Sequence, residues 1–150
     1  MRALLQRVSS AAVDVGAERV GEIGQGLLVL LGVFPDDTEA DAERLADRTL
    51  GLRIFPDEHK PMNRSVIDVL GGVLVVSQFT LAADTRKGRR PGFSGAAPPA
   101  QAEALYEAYL AALRKQAPSL RIESGRFGAD MAVSLVNDGP VTLLLEQPMP

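Results

Sequence analysis

The chain has 150 residues, a net charge of -3, 46% hydrophobic residues and no cysteine. That length suits one core and one domain, 1–150, on a scale of about 100–200 residues per domain. The missing cysteines exclude disulfides, zinc-thiolate sites and thiol nucleophiles, and the slightly acidic balance argues against a surface that is basic throughout.

The segment Arg2 to Val8 alternates loosely, and Ala11 to Val15 continues in strand-like composition. Gly16 to Arg19 reads as a turn into a second strand, Val20 to Ile23, so a hairpin is expected first. After Gly24-Gln25-Gly26, the run Leu27 to Leu31 is apolar at every position, the pattern of a central strand buried on both faces. Arg7 interrupts the first residues where a signal peptide needs an apolar stretch. The longest apolar runs, Leu27 to Leu31 and Val73 to Val76, fall far short of the roughly 20 residues that cross a bilayer. A soluble cytoplasmic protein without a membrane or DNA partner is expected.

A helix is predicted from about Thr38 to Leu52, with Ala42, Leu45, Ala46, Thr49 and Leu52 on one face. Ile54 to Pro61 has the prolines and charges of an exposed connection, and Gly71-Gly72 marks the turn before the strand Val73 to Val76. Asp84 to Pro99 lacks periodicity and reads as a long surface loop, a length that is usually functional or disordered. It holds the cations Arg86, Lys87, Arg89 and Arg90, either a solvated loop or a local anion-binding patch. A second helix is predicted from about Ala100 to Gln116, striped with Ala104, Leu105, Ala108, Tyr109, Ala112 and Leu113. Three closing strands follow, about Leu120 to Glu123, Ala132 to Val136 and Val141 to Glu146, with Asn137 to Pro140 read as a connection that could be a tight hairpin turn.

These elements imply an α/β protein: a mixed sheet with two helices on one side. Two helices cannot cover both faces of Leu27–Leu31 and Val73–Val76, so a second sheet layer or a partner subunit is expected, and a homodimer follows from that need.

Few catalytic chemistries fit the residues. His59 is the single histidine, which excludes paired-histidine metal motifs and leaves one residue for any Ser-His-Asp triad. No spacing brings Asp84, Asp130 or Asp138 together as an acid-base pair, so no metal or cofactor is expected. Ser77 and Thr80, within Ser77-Gln78-Phe79-Thr80, are possible nucleophiles without an adjacent base, or else simply bond backbone at a strand end.

Six segments, in order, resemble the D-aminoacyl-tRNA deacylase family across nearly the whole chain: Met1 to Val8, Gly51 to Phe55, Ser77 to Leu81, Lys87 to Pro91, Gly125 to Met131 and Asn137 to Thr142. The resemblance implies a layered α/β/β fold with a barrel-like dimer core. It also implies a homodimeric editing enzyme that hydrolyses the ester between a D-amino acid and the acceptor end of tRNA. In that family Gly139 and Pro140 would be joined by a cis bond and complete the partner's pocket, rejecting L substrates. Ser77, Gln78, Phe79 and Thr80 would form the catalytic floor, with Arg7, Met131 and Asn137 in support. The tRNA itself would assist catalysis, glycyl-tRNA(Ala) would be a second substrate, and Arg86, Lys87, Arg89 and Arg90 would contact tRNA phosphates. The family pattern is broken at Ala82, at Gly92 and in the loop Asp57 to Pro61. The alternatives are a non-catalytic tRNA-binding module and a Thr80-dependent hydrolase of small D-amino acid esters.

Overall fold

The computed structural model describes residues 1–150. Its elements in chain order are β1 (Arg2–Val15), β2 (Glu18–Ile23), β3 (Gly26–Gly32), α1 (Glu39–Gly51), β4 (Gly72–Ser77), a 3-10 turn (Phe79–Ala82), α2 (Pro99–Gln116), β5 (Ile122–Ser124) and β6 (Ala132–Glu146). One sheet contains all six strands in the order β2-β1-β3-β4-β5, and β6 pairs with the other edge of β1. β1 and β2 form the expected hairpin through Gly16-Ala17, with Val15 opposite Glu18. β3 pairs antiparallel with β1 and parallel with β4, and β4 pairs parallel with β5. The parallel pairs require long crossovers, which α1 and α2 supply.

Alternation along the strands explains the layers, because successive side chains point to opposite faces. Leu27, Val29 and Leu31 of β3, with Val73 and Val75 of β4, pack under α1 and α2 in the larger core. Leu28, Leu74 and Val76 point the other way and meet Val8, Ala11, Val13 and Ile23 in a smaller core. The second cover is therefore the sheet itself, which curls until β2 approaches β5. At that seam a Cβ on Gly21 would lie 2.7 Å from the Ser124 carbonyl oxygen, so only glycine allows the approach. The result is a mixed, nearly closed, barrel-like sheet with two helices, as the sequence led us to expect.

α1 begins one residue late because Thr38 is its N-cap: the Asp41 N–H donates to Thr38 Oγ1, and Asp41 Oδ2 accepts the Thr38 N–H at 2.9 Å. This reciprocal pairing satisfies donors that a helix start leaves open. The hydrogen bonds to Thr38 hold the Asp41 carboxyl below the usual carboxylate range. In α2 the buried stripe contains Tyr106 and Leu110 in place of the predicted Ala104 and Ala108. The Tyr106 hydroxyl donates to the Val75 carbonyl at 3.1 Å, so the phenol enters the core with its polar end satisfied.

Two expectations are corrected. Ile54 and Phe55 are buried, not exposed, because Phe55 bridges to Arg64 and turns the chain back under the helices. Ala132–Val136 and Val141–Glu146 are not a hairpin but one strand, β6, running the length of β1. Gln6 pairs with Thr142 and Val8 with Asn137, so Arg7 alone faces the excursion Asp138 to Val141. That is an enlarged bulge, which bends a strand and re-aims its residues.

Burial pushes the hydroxyl of Tyr106 up to about 12 and that of Tyr109, bonded to Thr49 at 2.9 Å, higher still. A raised phenol ionises first in the unfolded chain, so this contribution to stability is complete below the ordinary phenol value of 10.0 and is lost as pH rises toward about 12. Phenolate absorbance of the folded protein should stay low through pH 10 and then rise together with loss of secondary-structure ellipticity. Ionisation of either tyrosine at an ordinary pKa in the folded protein would contradict this burial.

Candidate functional site

The parallel strands β3 and β4 end side by side, and the Gln78 N–H donates to the Leu31 carbonyl at 2.8 Å just beyond them. Crevices at the carboxyl ends of parallel strands are common ligand sites. Here the opening is a cleft of about 740 Å³, with Leu31 and Val76 at its base and Ser77, Gln78 and Phe79 on one wall. Phe93, Pro98, Phe127, Met131 and Val133 complete an apolar enclosure. Its polar side chains are Ser77, Gln78 and Ser94, none of which is ionised near neutral pH.

The chain leaves β4 into a single 3-10 turn, Phe79–Ala82. Leu81 N–H donates to the Gln78 carbonyl at 3.1 Å and Ala83 N–H to that of Thr80 at 3.0 Å. The N–H groups of Phe79 and Thr80 head the turn, the position at which a helix start leaves N–H groups without an acceptor inside the helix. The Thr80 hydroxyl accepts from the Gln78 amide, and Thr80 itself is exposed and outside the cleft lining. Phe79 meets Phe93 edge to face, centroids 5.0 Å apart, so the long loop folds back to make one lip.

The second segment is built on the β6 bulge. Arg7 is 8% exposed; its Nη1 donates to the Ile54 carbonyl at 2.7 Å and its Nε to the Asp138 carbonyl at 3.3 Å. Nε also lies 3.3 Å from Asp138 Oδ2. The Gly139–Pro140 peptide is cis, and Gly139 has φ +121, where L side chains rarely sit. A Cβ there would lie 2.9 Å from Arg7 Nη2. Asn137 donates to the Thr142 hydroxyl at 3.2 Å across the base of the bulge, and its Oδ1 is buried without a partner. Gly139 and Pro140 are exposed and do not line the cleft of their own chain.

Of the residues singled out in the sequence, Ser77, Gln78, Phe79 and Met131 share the cleft, whereas Arg7, Asn137, Gly139 and Pro140 share the bulge. The four cations lie on the exposed loop closed by the Asp84–Gly92 bridge. Only Arg86 has an acidic partner, Asp84 at 2.8 Å. Its guanidinium holds the Asp84 carboxyl below the usual carboxylate range, and Arg86 is correspondingly raised. Sequence reasoning missed Phe93, Ser94 and Phe127 in the cleft and Ile54 as the anchor of Arg7. The signal for Phe93 was an aromatic residue within a loop otherwise rich in Gly, Pro and Arg.

Comparison with known proteins gives this geometry a family. A protein of Pseudomonas aeruginosa (strain LESB58) named D-aminoacyl-tRNA deacylase is 58% identical over 146 residues, covering 97% of this chain and 99% of that protein. A solved structure of a protein called c-Myc DNA Unwinding Element Binding Protein superposes with a TM-score of 0.93 at 44% identity, covering 99% of this chain and 100% of that one. A structure described as a probable eukaryotic D-amino acid tRNA deacylase shares the fold, with a TM-score of 0.85 at 20% identity over 96% of this chain and 97% of that one. The family model for D-Tyr-tRNA(Tyr) deacylase matches residues 4–146, and this chain, cleft and bulge included, belongs to that family.

Proposed function

We propose that the protein hydrolyses the ester of D-aminoacyl-tRNA to free tRNA and D-amino acid, working in the cytoplasm as a homodimer. The observation that carries this reading is the pairing of an apolar cleft without a titratable side chain with the first two N–H groups of a helical turn at its edge. An aminoacyl ester is already activated, and the ribose hydroxyl beside it can orient or activate water. The substrate supplies the polar group that the cleft lacks. The Phe79 and Thr80 N–H groups stabilise the developing oxyanion, an interaction whose loss elsewhere costs about 2.7–4 kcal/mol.

The Gly139–Pro140 main chain judges handedness in the partner's cleft. Its carbonyls hold the substrate amino group, so an L side chain is driven against backbone braced by Arg7. Exclusion of this kind rejects what is too large and accepts what is absent, so glycyl-tRNA(Ala) is also cleaved. Two features support a second copy: β6 pairs with β1 alone, and it exposes Val136, Leu143 and Leu144 beside the bulge. An unpaired apolar edge of this kind is normally covered.

Incubation with D-, L- and glycyl-tRNA, and with D-aminoacyl-tRNA ending in 2'-deoxyadenosine, tests the reading. Turnover is expected for the D and glycyl substrates, and none for the L or 2'-deoxy substrates. Rapid cleavage of the 2'-deoxy substrate would remove tRNA assistance from the mechanism. Binding of tRNA, or of single-stranded DNA, without any turnover would favour a nucleic-acid-binding module, the reading that the name of the 44% identical neighbour suggests.

Thr80→Ala keeps the backbone N–H and should lower kcat by less than about tenfold, well short of the about 10²–10³ that removal of an oxyanion donor costs. Abolished turnover together with an acyl-enzyme trapped in the wild type would make Thr80 the nucleophile.

Arg86, Lys87, Arg89 and Arg90 contact phosphates of the acceptor end, which fixes register without reading bases. Their joint replacement by Gln should weaken tRNA binding and flatten its salt dependence by about 0.7–0.9 in log–log slope for each phosphate that is no longer neutralised. An unchanged slope would make the loop a solvated surface.

A further inference from the structure

The Phe79–Ala82 turn is a single turn long, so its position depends on what lies outside it. Arg2, at the start of β1, donates from Nη1 to the Leu81 carbonyl at 2.8 Å. The last carbonyls of a helical turn lack partners within it, and a cation there suits the local dipole. The same guanidinium lies over Phe34, 4.9 Å from the ring centre, and its Nε is 3.5 Å from the Glu146 carboxylate on β6. Phe34 is fixed in turn, because its N–H donates to Asp37 Oδ2 at 2.7 Å. Stacked on the Phe34 ring, the guanidinium meets Leu81 from a set direction, while the partly exposed pair with Glu146 adds little to its aim. On the opposite side the turn rests on the end of β3, where a Cβ on Gly32 would be 3.0 Å from Leu81 Cβ and 3.3 Å from the Gln78 carbonyl oxygen. The turn is pressed onto the strand end and tied at its rear carbonyl.

We propose that Arg2 is a positioning residue for ester cleavage, fixing the Phe79–Ala82 turn so that the Phe79 and Thr80 N–H groups aim at the acyl oxygen. This rests on the oxyanion role proposed for those N–H groups. Arg2 touches neither substrate nor reacting atoms. Its effect comes from alignment, and a misplacement of about 1 Å can cost about 10²-fold in rate.

The test compares Arg2→Met, Arg2→Lys and Glu146→Gln in the full-length protein. Arg2→Met and Glu146→Gln both abolish the ion pair between β1 and β6, but only the first removes the donor to Leu81. Arg2→Met should lower kcat by about ten- to a hundredfold with KM within about twofold, the signature of an interaction made in the transition state. Arg2→Lys, which restores a cationic donor, should recover part of the loss, and Glu146→Gln should retain wild-type kcat. Hydrogen exchange of the Leu81 and Ala83 amides reads the turn independently of any substrate. It should quicken in Arg2→Met and stay unchanged in Glu146→Gln. Unchanged exchange in Arg2→Met, or equal losses in both variants, would overturn the inference. If the wild type cleaves no D-aminoacyl-tRNA, the functional reading fails while the exchange comparison still decides whether Arg2 sets the turn.

Discussion

Strands β3 and β4 are apolar on both faces, and covering both faces with 150 residues dictates most of the architecture. Burying a Leu or Val side chain is worth about 1.5–3 kcal/mol, so leaving Leu28, Leu74 and Val76 wet would cost several such increments. The helices can occupy one face only. The chain answers by curling its own sheet until β1, β2 and β6 lie over the other face, which is why β1 extends unbroken from Arg2 to Val15. The same parallel pairing that the helices enforce brings the carboxyl ends of β3 and β4 together, and the cleft opens there. Site and core are consequences of one burial requirement.

The bulge on β6 is held by a different kind of interaction. Arg7 could be described as an ion pair with Asp138, but the Asp138 side chain is 49% exposed, and an exposed pair contributes at most about 1 kcal/mol. The stronger constraint is the Ile54 carbonyl, which takes Nη1 at 2.7 Å in a buried setting. Removing its donor would leave a buried acceptor unsatisfied, at about 1–3 kcal/mol. Arg7 therefore joins the exposed Gly139–Pro140 segment to the interior through Ile54, and the buried Ile54–Phe55 corner serves the site as well as the core.

What the sequence made legible was what local pattern controls. The doubly apolar strands, both helices to within a residue or two, and the first hairpin follow from periodicity and turn residues that act over a few positions. Sequence pattern places Thr38 inside α1 because composition marks acidic first turns more plainly than it marks the one residue whose side chain caps them. The same pattern divides β6 at Asn137 to Pro140 because Gly and Pro punctuate most chains. Only its register against β1, a pairing across more than a hundred positions, shows that the strand resumes. The Ser77 to Phe79 wall and Met131 were legible as motifs. Phe93 and Ile54 were not, since an aromatic in a polar loop and an isoleucine before prolines gain meaning only when a distant element closes on them.

A site that works through main chain, as proposed for this cleft, places unusual demands on everything behind it. A side-chain base can swing by a rotamer and recover its geometry, whereas an N–H group moves only when its whole turn moves. The contacts seen match such demands: Gln78 is anchored on Leu31, Leu81 is tied to Arg2, and Gly139 is seated over Arg7. Backbone donors also keep one charge state across ordinary pH, so in the proposed mechanism rigidity replaces the proteolytic and glycosidic strategy of tuning two carboxylates apart. The proposed discrimination by handedness has the same source, because a wall of backbone yields less than a wall of side chains.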